Sequence, residues 1–210
     1  SIMKTIKIAL CAASIVCLFF SSANAQNAIG SWSLQPKAGL NLATMTNDDD
    51  AKIRVGLVAG AELAYQASPL LSISAGALYS EQGTEAKVDG VNGTLKMDYV
   101  NVPILANFHV AKGLAVKVGI QPGFLINDKI EVKVNGVSAE VDMKEAYRNI
   151  GVDADIPSLD FAIPFGLSYE FNHIVLDARY NLGLTKAISV LGESTKHSVF
   201  QITIGYKLSL

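Results

Sequence analysis

The most constraining feature of this sequence is an alternation of apolar and polar residues with a period of two. It recurs in eight segments, and each places an apolar row and a polar row of side chains on opposite faces of a β-strand. Eight such strands in antiparallel order form a meander that can close on itself. The sequence therefore predicts an all-β fold, an eight-stranded antiparallel up-and-down transmembrane β-barrel. The segments cover residues 32–42, 53–66, 71–82, 99–109, 114–126, 159–171, 174–183 and 200–210.

The connections between these segments alternate in length. Short turns at one end and long loops at the other are typical of outer-membrane barrels, which have short periplasmic turns and long extracellular loops. Asp89-Gly90 and Asn135-Gly136 are hairpin signals, so we expect strand pairs to continue into two of the long loops. The short connections lie at 67–69, 111–113 and 172–173, and the long ones at 43–52, 83–98, 127–158 and 184–198.

The beginning of the chain has the order of parts of a secretory signal peptide. A basic head with Lys4 and Lys7 precedes an apolar run, and Ala23-Asn24-Ala25 provides a cleavage pattern. The predicted division is a signal peptide at 1–25 and an outer-membrane β-barrel domain at 26–210. We therefore expect export to the bacterial outer membrane through a cleaved signal peptide.

Composition excludes several other classes of protein. A net charge of −2 and a pI near 5.9 provide no positive surface for phosphate, so nucleic acid is not an expected partner. No later segment has the roughly 18 consecutive apolar residues of a spanning helix. A membrane-embedded mature chain must then be a closed barrel, because hydrocarbon tolerates no unpaired backbone. Cys11 and Cys17 both lie in the leader, which excludes disulfides and cysteine-ligated metals from the mature chain.

Alternation alone does not decide whether the apolar face points at lipid or into a soluble core. The aromatic residues favour lipid, because they collect in two belts at the strand ends, as they do at membrane interfaces. Residues 203–210 also resemble the terminal insertion signal of outer-membrane barrels. We predict lipid-interface aromatics at the periplasmic end (Trp32, Tyr65, Phe108, Tyr169, Phe171 and Tyr206) and at the opposite end (Tyr79, Phe124, Phe161 and Phe200).

The polar face is rich in small residues and carries charges of both signs. A water-exposed strand face would carry fewer glycines, because glycine weakens a strand. Small residues with nearly balanced charges suit a narrow barrel interior, where ions must pair to offset desolvation. We therefore predict a structural charge network in the lumen, formed by Lys37, Arg54, Glu62, Lys117, Asp160, Glu170, Asp177, Arg179 and Lys207.

Several strand sequences resemble the PorT-like outer-membrane β-barrel proteins of Bacteroidetes. These are KAGLNLA at 37–43, GLVAGAELAYQASPLLSISAGALYSEQGTE at 56–85, YVNVPILANF at 99–108, DARYNLGLTKAIS at 177–189 and FQITIGYKL at 200–208. The resemblance implies an eight-stranded transmembrane barrel and, from the namesake of the family, a link to a protein secretion system. The family supplies no shared catalytic motif, so no functional residue is carried over.

Residues that could support chemistry are few. His109 closes the fourth segment, His173 lies in a turn and His197 begins the last strand, and none has a metal-ligand partner at strand or helix spacing. His197 and Ser198 are adjacent in a strand, so their side chains point to opposite faces. Asp48-Asp49-Asp50 lacks the ligand spacing of a calcium loop. We predict no catalytic residue, no cofactor and no metal site.

These features together predict a monomeric, non-enzymatic outer-membrane barrel. Its expected partners are membrane lipid, lipopolysaccharide and a protein that contacts the extracellular loops, and the resemblance implies an accessory role in protein secretion. Two alternatives stay open at this point. One is a barrel enzyme of the outer membrane, either a lipid-modifying hydrolase or a protease. The other is a secreted, soluble, lipocalin-like barrel that binds a small apolar ligand.

Overall fold

The computed structural model describes most of the chain after residue 27. The predicted signal peptide and Asp48-Asp49-Asp50 lie outside the described residues. Within the described part, no helix is long and apolar enough to cross a membrane. The described residues are 28–45, 52–88, 91–134, 137–142, 145, 148–149, 154–155, 158–185, 188–190, 193–195 and 197–210.

Strands account for nearly all of the described residues, in agreement with the eight alternating segments. They are β1 (Trp32–Met45), β2 (Lys52–Gln66), β3 (Leu71–Val88), β4 (Val91–Asn101), β5 (Ile104–Ala111), β6 (Leu114–Val134), β7 (Val137–Asp142), β8 (Ala154–Asp155), β9 (Leu159–Phe171), β10 (Ile174–Gly183), β11 (Ile188–Val190), β12 (Glu193–Thr195), β13 (His197–Tyr206) and β14 (Leu208–Ser209).

The predicted eight-stranded antiparallel barrel is confirmed. Each barrel strand pairs with its neighbours in the sequence, and β1 pairs with β13 to close the ring. In that closing pair Leu40 lies opposite Ile202. The barrel strands are β1, β2, β3, the β4–β5 pair, β6, β9, β10 and β13, with β14 continuing the last of these along β1. β8, β11 and β12 form a separate small sheet.

Two local features follow from the residues at the turns and breaks. Asn172 and His173 both have positive φ, 46° and 70°, as a two-residue hairpin between twisted strands requires. The fourth barrel strand is not continuous, because Val102 and Pro103 separate β4 from β5. Proline has no N–H to donate to the ladder, so the strand breaks where it occurs.

The burial pattern places the apolar rows on the outside of the barrel. Ile204, Ile202, Val118 and Leu176, which lie along the middle of the strands, are 42–55% exposed. Inside, buried polar or charged residues outnumber buried apolar ones by more than two to one among the described residues. A soluble domain rarely exposes an apolar surface of this extent, so an apolar solvent such as lipid must surround the barrel.

Strands from two long loops continue beyond the barrel as a sheet, which we call the strand extension. It consists of residues 81–88 of β3, 91–98 of β4 and 127–134 of β6, together with β7. This confirms that strand pairs continue into those two loops. A β-bulge in β6 lies at Ile126, where the register with β4 shifts. The extra residue reverses which residues of β6 face outward, so odd-numbered residues point outward above the bulge.

Candidate functional site in the lumen and the strand extension

A cluster of five charged side chains lies at the centre of the barrel lumen. It consists of Lys37 on β1, Glu62 on β2, Lys117 on β6, and Asp177 and Arg179 on β10. The β-register brings these residues together although up to 142 positions separate them in the chain.

Glycine supplies the room for these long side chains. Gly166 on β9 lies opposite both Lys117 and Arg179 in the sheet register. A Cβ atom at Gly166 would lie 2.8 Å from the Cα of Arg179, closer than real contacts allow. The small residues of the polar rows therefore make space for the charged ones.

Each carboxylate of the cluster contacts more than one cation. Glu62 accepts from Lys37 Nζ at 2.9 Å through Oε2 and from Arg179 Nη2 at 2.9 Å through Oε1. Asp177 Oδ2 lies 3.4 Å from Lys37 Nζ and 3.3 Å from Arg179 Nη2, and it also accepts from Lys117. With three cations and two carboxylates, the cluster has one excess positive charge.

The central cluster lies next to a cavity in the lumen. The side chains of Lys37 and Arg179 are 0% exposed, so no water-sized space borders either of them. A polar cavity of about 50 Å³ lies on the side of the short turns, and its innermost lining residues are Glu62 and Lys117. This volume holds only a few water molecules, because one water needs roughly 10–15 Å³. The interior is filled by its own side chains, as expected for a barrel of eight strands.

The other four residues of the predicted lumen network lie apart from this cluster. Glu170 and Lys207 form a separate ion pair of 2.6 Å near the short turns. Arg54 donates to the backbone carbonyl of Gln82, and Asp160 accepts from the Thr185 hydroxyl, both towards the long-loop end. All nine side chains thus face the lumen, but only five of them meet in one network.

The short-turn cavity also contains a serine–histidine contact that the sequence did not indicate. The His109 Nε2 and Ser72 Oγ atoms are 3.1 Å apart, across the β3–β5 pair. Asn107 Nδ2 donates to Ser74 Oγ at 3.1 Å beside them. A nucleophilic serine needs a base that a third group orients, and no carboxylate is hydrogen-bonded to His109 in the described part of the chain. We assign this contact to packing of the lumen.

The remaining candidate residues contribute no reactive group. His173 is exposed in its turn, with its ring centroid 6.0 Å from that of Tyr206. The side chain of His197 lies outside the described residues. Over the range that the structure covers, no group of three or more histidine, cysteine, aspartate or glutamate side chains is placed to hold a metal ion.

All ten residues of the two predicted aromatic belts are exposed on the outside of the barrel. Trp32 and Tyr65 pair across β1 and β2, with ring centroids 5.0 Å apart. The short-turn belt consists of Trp32, Tyr65, Phe108, Tyr169, Phe171 and Tyr206, and the long-loop belt of Tyr79, Phe124, Phe161 and Phe200. Their role as anchors at a lipid interface stays a prediction.

The outer surface changes from apolar to charged where the strand extension begins. On β4, outward Val100 is followed by outward Asp98 and Lys96, because alternate residues share a face. Asn127 Nδ2 donates to Asp98 Oδ2 at 2.9 Å directly above the bulge. Since charged side chains are costly in hydrocarbon, this change marks the long-loop border of the apolar belt.

Ion pairs connect the strands of the extension on its outward side. Lys96 Nζ lies 2.6 Å from Glu131 and 2.6 Å from Glu140, and Lys129 lies 3.6 Å from Glu140. We call this side, formed by Lys96, Lys129, Glu131 and Glu140, the charged face. The hydrogen bond from Lys96 lowers the pKa of Glu140, and bonds to Glu131 and Glu140 raise the pKa of Lys96. Sequence reasoning missed these residues, for which the hairpin signals were the only indication.

The opposite side of the extension is apolar. Leu95, Ile130 and Val141 lie across from one another on β4, β6 and β7, and Val132 lies opposite Ala139. We call these five residues the apolar face. Val132 is 37% exposed and Val141 40% exposed. The extension is therefore an amphipathic sheet whose apolar face turns towards the barrel axis.

A search of curated protein sequences found no match. The barrel is similar to Ail, the attachment invasion locus protein of Yersinia pestis, with a TM-score of 0.48, 15% identity and coverage of 86% of this chain and 100% of that one. It is also similar to Neisserial surface protein A, with a TM-score of 0.47, 12% identity and coverage of 85% of this chain and 97% of that one. A third similar structure is OprG of Pseudomonas aeruginosa, with a TM-score of 0.47, 13% identity and coverage of 86% of this chain and 96% of that one.

The sequence itself matches one family. Residues 24–189 match the family described as outer membrane protein beta-barrel domain, which agrees with a closed barrel that is apolar outside and polar inside. The chain belongs to the outer membrane protein beta-barrel domain family, and its location is the outer membrane.

Proposed function

We propose that this protein is a non-enzymatic barrel that holds the strand extension outside the outer membrane for contact with another protein. The observation that carries the proposal is a difference between the lumen and the strand extension. The central cluster occupies the middle of the lumen with buried side chains. The extension instead exposes Lys129 on its charged face and Val132 and Val141 on its apolar face.

The lumen argues against transport and against the binding of an apolar ligand. Lys37 and Arg179 are inaccessible to solvent in its centre, and the interior of an eight-stranded barrel is just wide enough for its own side chains to fill. A lipocalin-like barrel would need an apolar interior, and the described interior is mainly polar. An enzyme is not favoured either, since the Ser72–His109 contact lacks an orienting group among the described residues.

The sidedness follows the usual arrangement of outer-membrane barrels, with short turns in the periplasm and long loops outside. The extension would then stand on the cell surface, where lipopolysaccharide surrounds the aromatic belt at Tyr79 and Phe124. The barrel strands complete their own ring, so the protein needs no second copy to close its edges. We propose a monomer, and an accessory role in protein secretion is the finer form of this hypothesis.

Photo-crosslinking in living cells tests the proposed contact. A photoreactive amino acid is placed at Lys129, which is 46% exposed on the extension, or at His173 in a short turn as the matched control. We expect adducts with another protein from position 129 and not from position 173. Equal adducts from both positions, or none from 129, would contradict the proposal.

Secretion and enzyme activity have separate readouts. If the role is accessory to secretion, deletion of the gene should retain secreted cargo in the periplasm, and the intact gene should restore export. If the barrel were instead an enzyme, changing His109 to alanine would abolish a measurable activity of the purified protein. We expect no hydrolytic activity for that change to remove.

A further inference from the structure

The cavity of about 50 Å³ at the short-turn end of the lumen borders the central cluster. Its lining extends from Glu62 and Lys117 to Gly113, which lies in the short turn between β5 and β6. The side chain of Lys117 is 6% exposed, whereas those of Lys37 and Arg179 are 0% exposed. Lys117 is therefore the cation of the cluster that a small molecule in the cavity can contact.

We propose that this cavity binds one small monovalent anion, a halide such as chloride, against the ammonium group of Lys117. The anion balances the charge of the central cluster and stabilises the closed barrel. The proposal goes beyond the proposed function and is independent of it, because it concerns the lumen and makes no use of the strand extension.

The charges of the lumen require a counter-ion. The central cluster has one excess positive charge, since two carboxylates are shared among three cations. The other predicted lumen charges do not supply the missing negative charge. Glu170 and Lys207 neutralise each other, and Arg54 and Asp160 carry one charge of each sign towards the long-loop end. Because a buried charge without a partner is costly, an anion beside the cluster is stabilising.

The cavity lining offers donors that the protein does not use. A lysine ammonium has three N–H donors and no acceptor. Among the described residues, Lys117 donates to Asp177 and Lys207 donates to Glu170, so each lysine keeps two further donors. Gln35 also lines the cavity, and no described residue accepts from its Nε2 atom. The two carboxylates of the lining already accept from cations, so the lining favours an anion over a cation.

The size of the cavity selects a monatomic ion. One water needs roughly 10–15 Å³, so about 50 Å³ holds one chloride, which is slightly larger than water, and a few waters. The hydroxyl groups of Ser33 and Ser168 line the same space and can donate to the ion. A multiply charged anion would exceed the single excess charge, and an organic acid such as gluconate is too large to enter.

Urea unfolding of the full-length, refolded protein in phospholipid vesicles tests the proposal. Sodium chloride is replaced stepwise by sodium gluconate at constant ionic strength and at pH 8, where histidine is neutral. An ion that binds only the folded state raises the folded-to-unfolded ratio about tenfold for each tenfold increase in free ion above its dissociation constant. We expect this dependence for chloride. A folded-to-unfolded ratio that does not change with chloride would overturn the proposal.

Two lysine variants assign the effect to the cavity. Lys117→Met removes the contacting ammonium and the excess charge together, so the chloride dependence should disappear. Lys112→Met is the matched control, because it removes a positive charge from the same short turn but lies outside the cavity lining. It should keep the dependence of the unchanged protein. A dependence that persists in Lys117→Met, or that both variants lose, contradicts binding at this site.

Two further variants separate space from charge. Ala64→Leu fills the cavity and changes no charge, since Ala64 lines it, so the chloride dependence should again disappear. This variant also keeps the proposal testable if Lys117→Met does not fold. Glu62→Gln raises the excess charge from one to two and should shift half-saturation to a lower chloride concentration. An unchanged dependence in Ala64→Leu, or a shift of Glu62→Gln to higher chloride, would show that the anion does not occupy this cavity.

Discussion

Replacing Glu62 by glutamine tests whether the central cluster stabilises the barrel. The substitution keeps the size of the side chain and removes the carboxylate that contacts both Lys37 and Arg179 at 2.9 Å. The cluster would then hold three cations against Asp177 alone. Its excess positive charge would rise from one to two in an interior from which solvent is largely excluded.

The magnitude follows from these two contacts. Unit charges about 2.9 Å apart attract by roughly 6 kcal/mol at an effective dielectric constant of about 20, before desolvation is subtracted. Removing one partner of a buried ion pair costs about 3–5 kcal/mol in measured cases. Because glutamine still accepts a hydrogen bond and the neighbouring cavity has room for water, we expect a loss near the lower end, about 3 kcal/mol of unfolding free energy.

Urea unfolding in phospholipid vesicles measures this loss. The chain has a single tryptophan, Trp32, which lies on the outer surface, so its fluorescence reports transfer from lipid to water. Glu170→Gln is the comparison variant, since the Glu170 carboxylate pairs with one cation, Lys207, beside the short-turn cavity, and we expect it to cost less than Glu62→Gln, which affects two cations.

A double variant distinguishes charge imbalance from general damage. Glu62→Gln combined with Arg179→Met removes one charge of each sign and returns the cluster to one excess positive charge. Since exchanging a whole buried pair for uncharged groups is often neutral, we expect the double variant to regain at least half of the loss. The reasoning is refuted if Glu62→Gln costs less than 1 kcal/mol, or if the double variant is no more stable than the single one.

Three further predictions concern the other parts of the molecule. Val118 and Ile204 point outward and are 42% and 55% exposed. Val118→Lys and Ile204→Lys should each lower the free energy of unfolding in vesicles by about 2–4 kcal/mol. A smaller loss for both variants would contradict the placement of these positions in lipid. Gly205→Leu should cost about 1–3 kcal/mol by overpacking, because a Cβ there would lie 2.9 Å from the backbone carbonyl oxygen of Pro36 on β1; an unchanged free energy of unfolding would contradict this. Since the pKa of Glu140 is lowered, its contribution is present above the ordinary glutamate pKa and is lost as pH falls through the lowered value. Hydrogen exchange of β7 should therefore increase at acidic pH, once corrected for intrinsic rates, and Glu140→Gln should remove the difference.

The number of barrel strands and the two faces of each were predictable from sequence. An alternation such as that in residues 200–210 allows only one arrangement in a strand, since successive side chains point to opposite faces. Placing the apolar rows outside needed a second observation, which the aromatic residues at the strand ends supplied. The break at Pro103 was visible in the sequence but was not predicted, because the alternation continues through it.

The sequence predicted the strand extension only through the hairpin signals in two of the long loops. The bulge at Ile126 exchanges the two faces of β6, and no periodicity within that strand reveals a shift that is defined by its pairing with β4. The ion pairs of Lys96 and the apolar face beside Val141 both depend on this shift.

The sequence by itself determined which side chains enter the lumen, because that choice depends only on the period of each strand. It did not determine which charges pair, because pairing depends on the register between strands and on closure of β1 against β13. Lys37 meets Glu62 from the next strand and Asp177 from 140 positions away, while Arg54 meets no carboxylate among its described contacts. Only the closed barrel brings those distant residues within a few ångströms of each other.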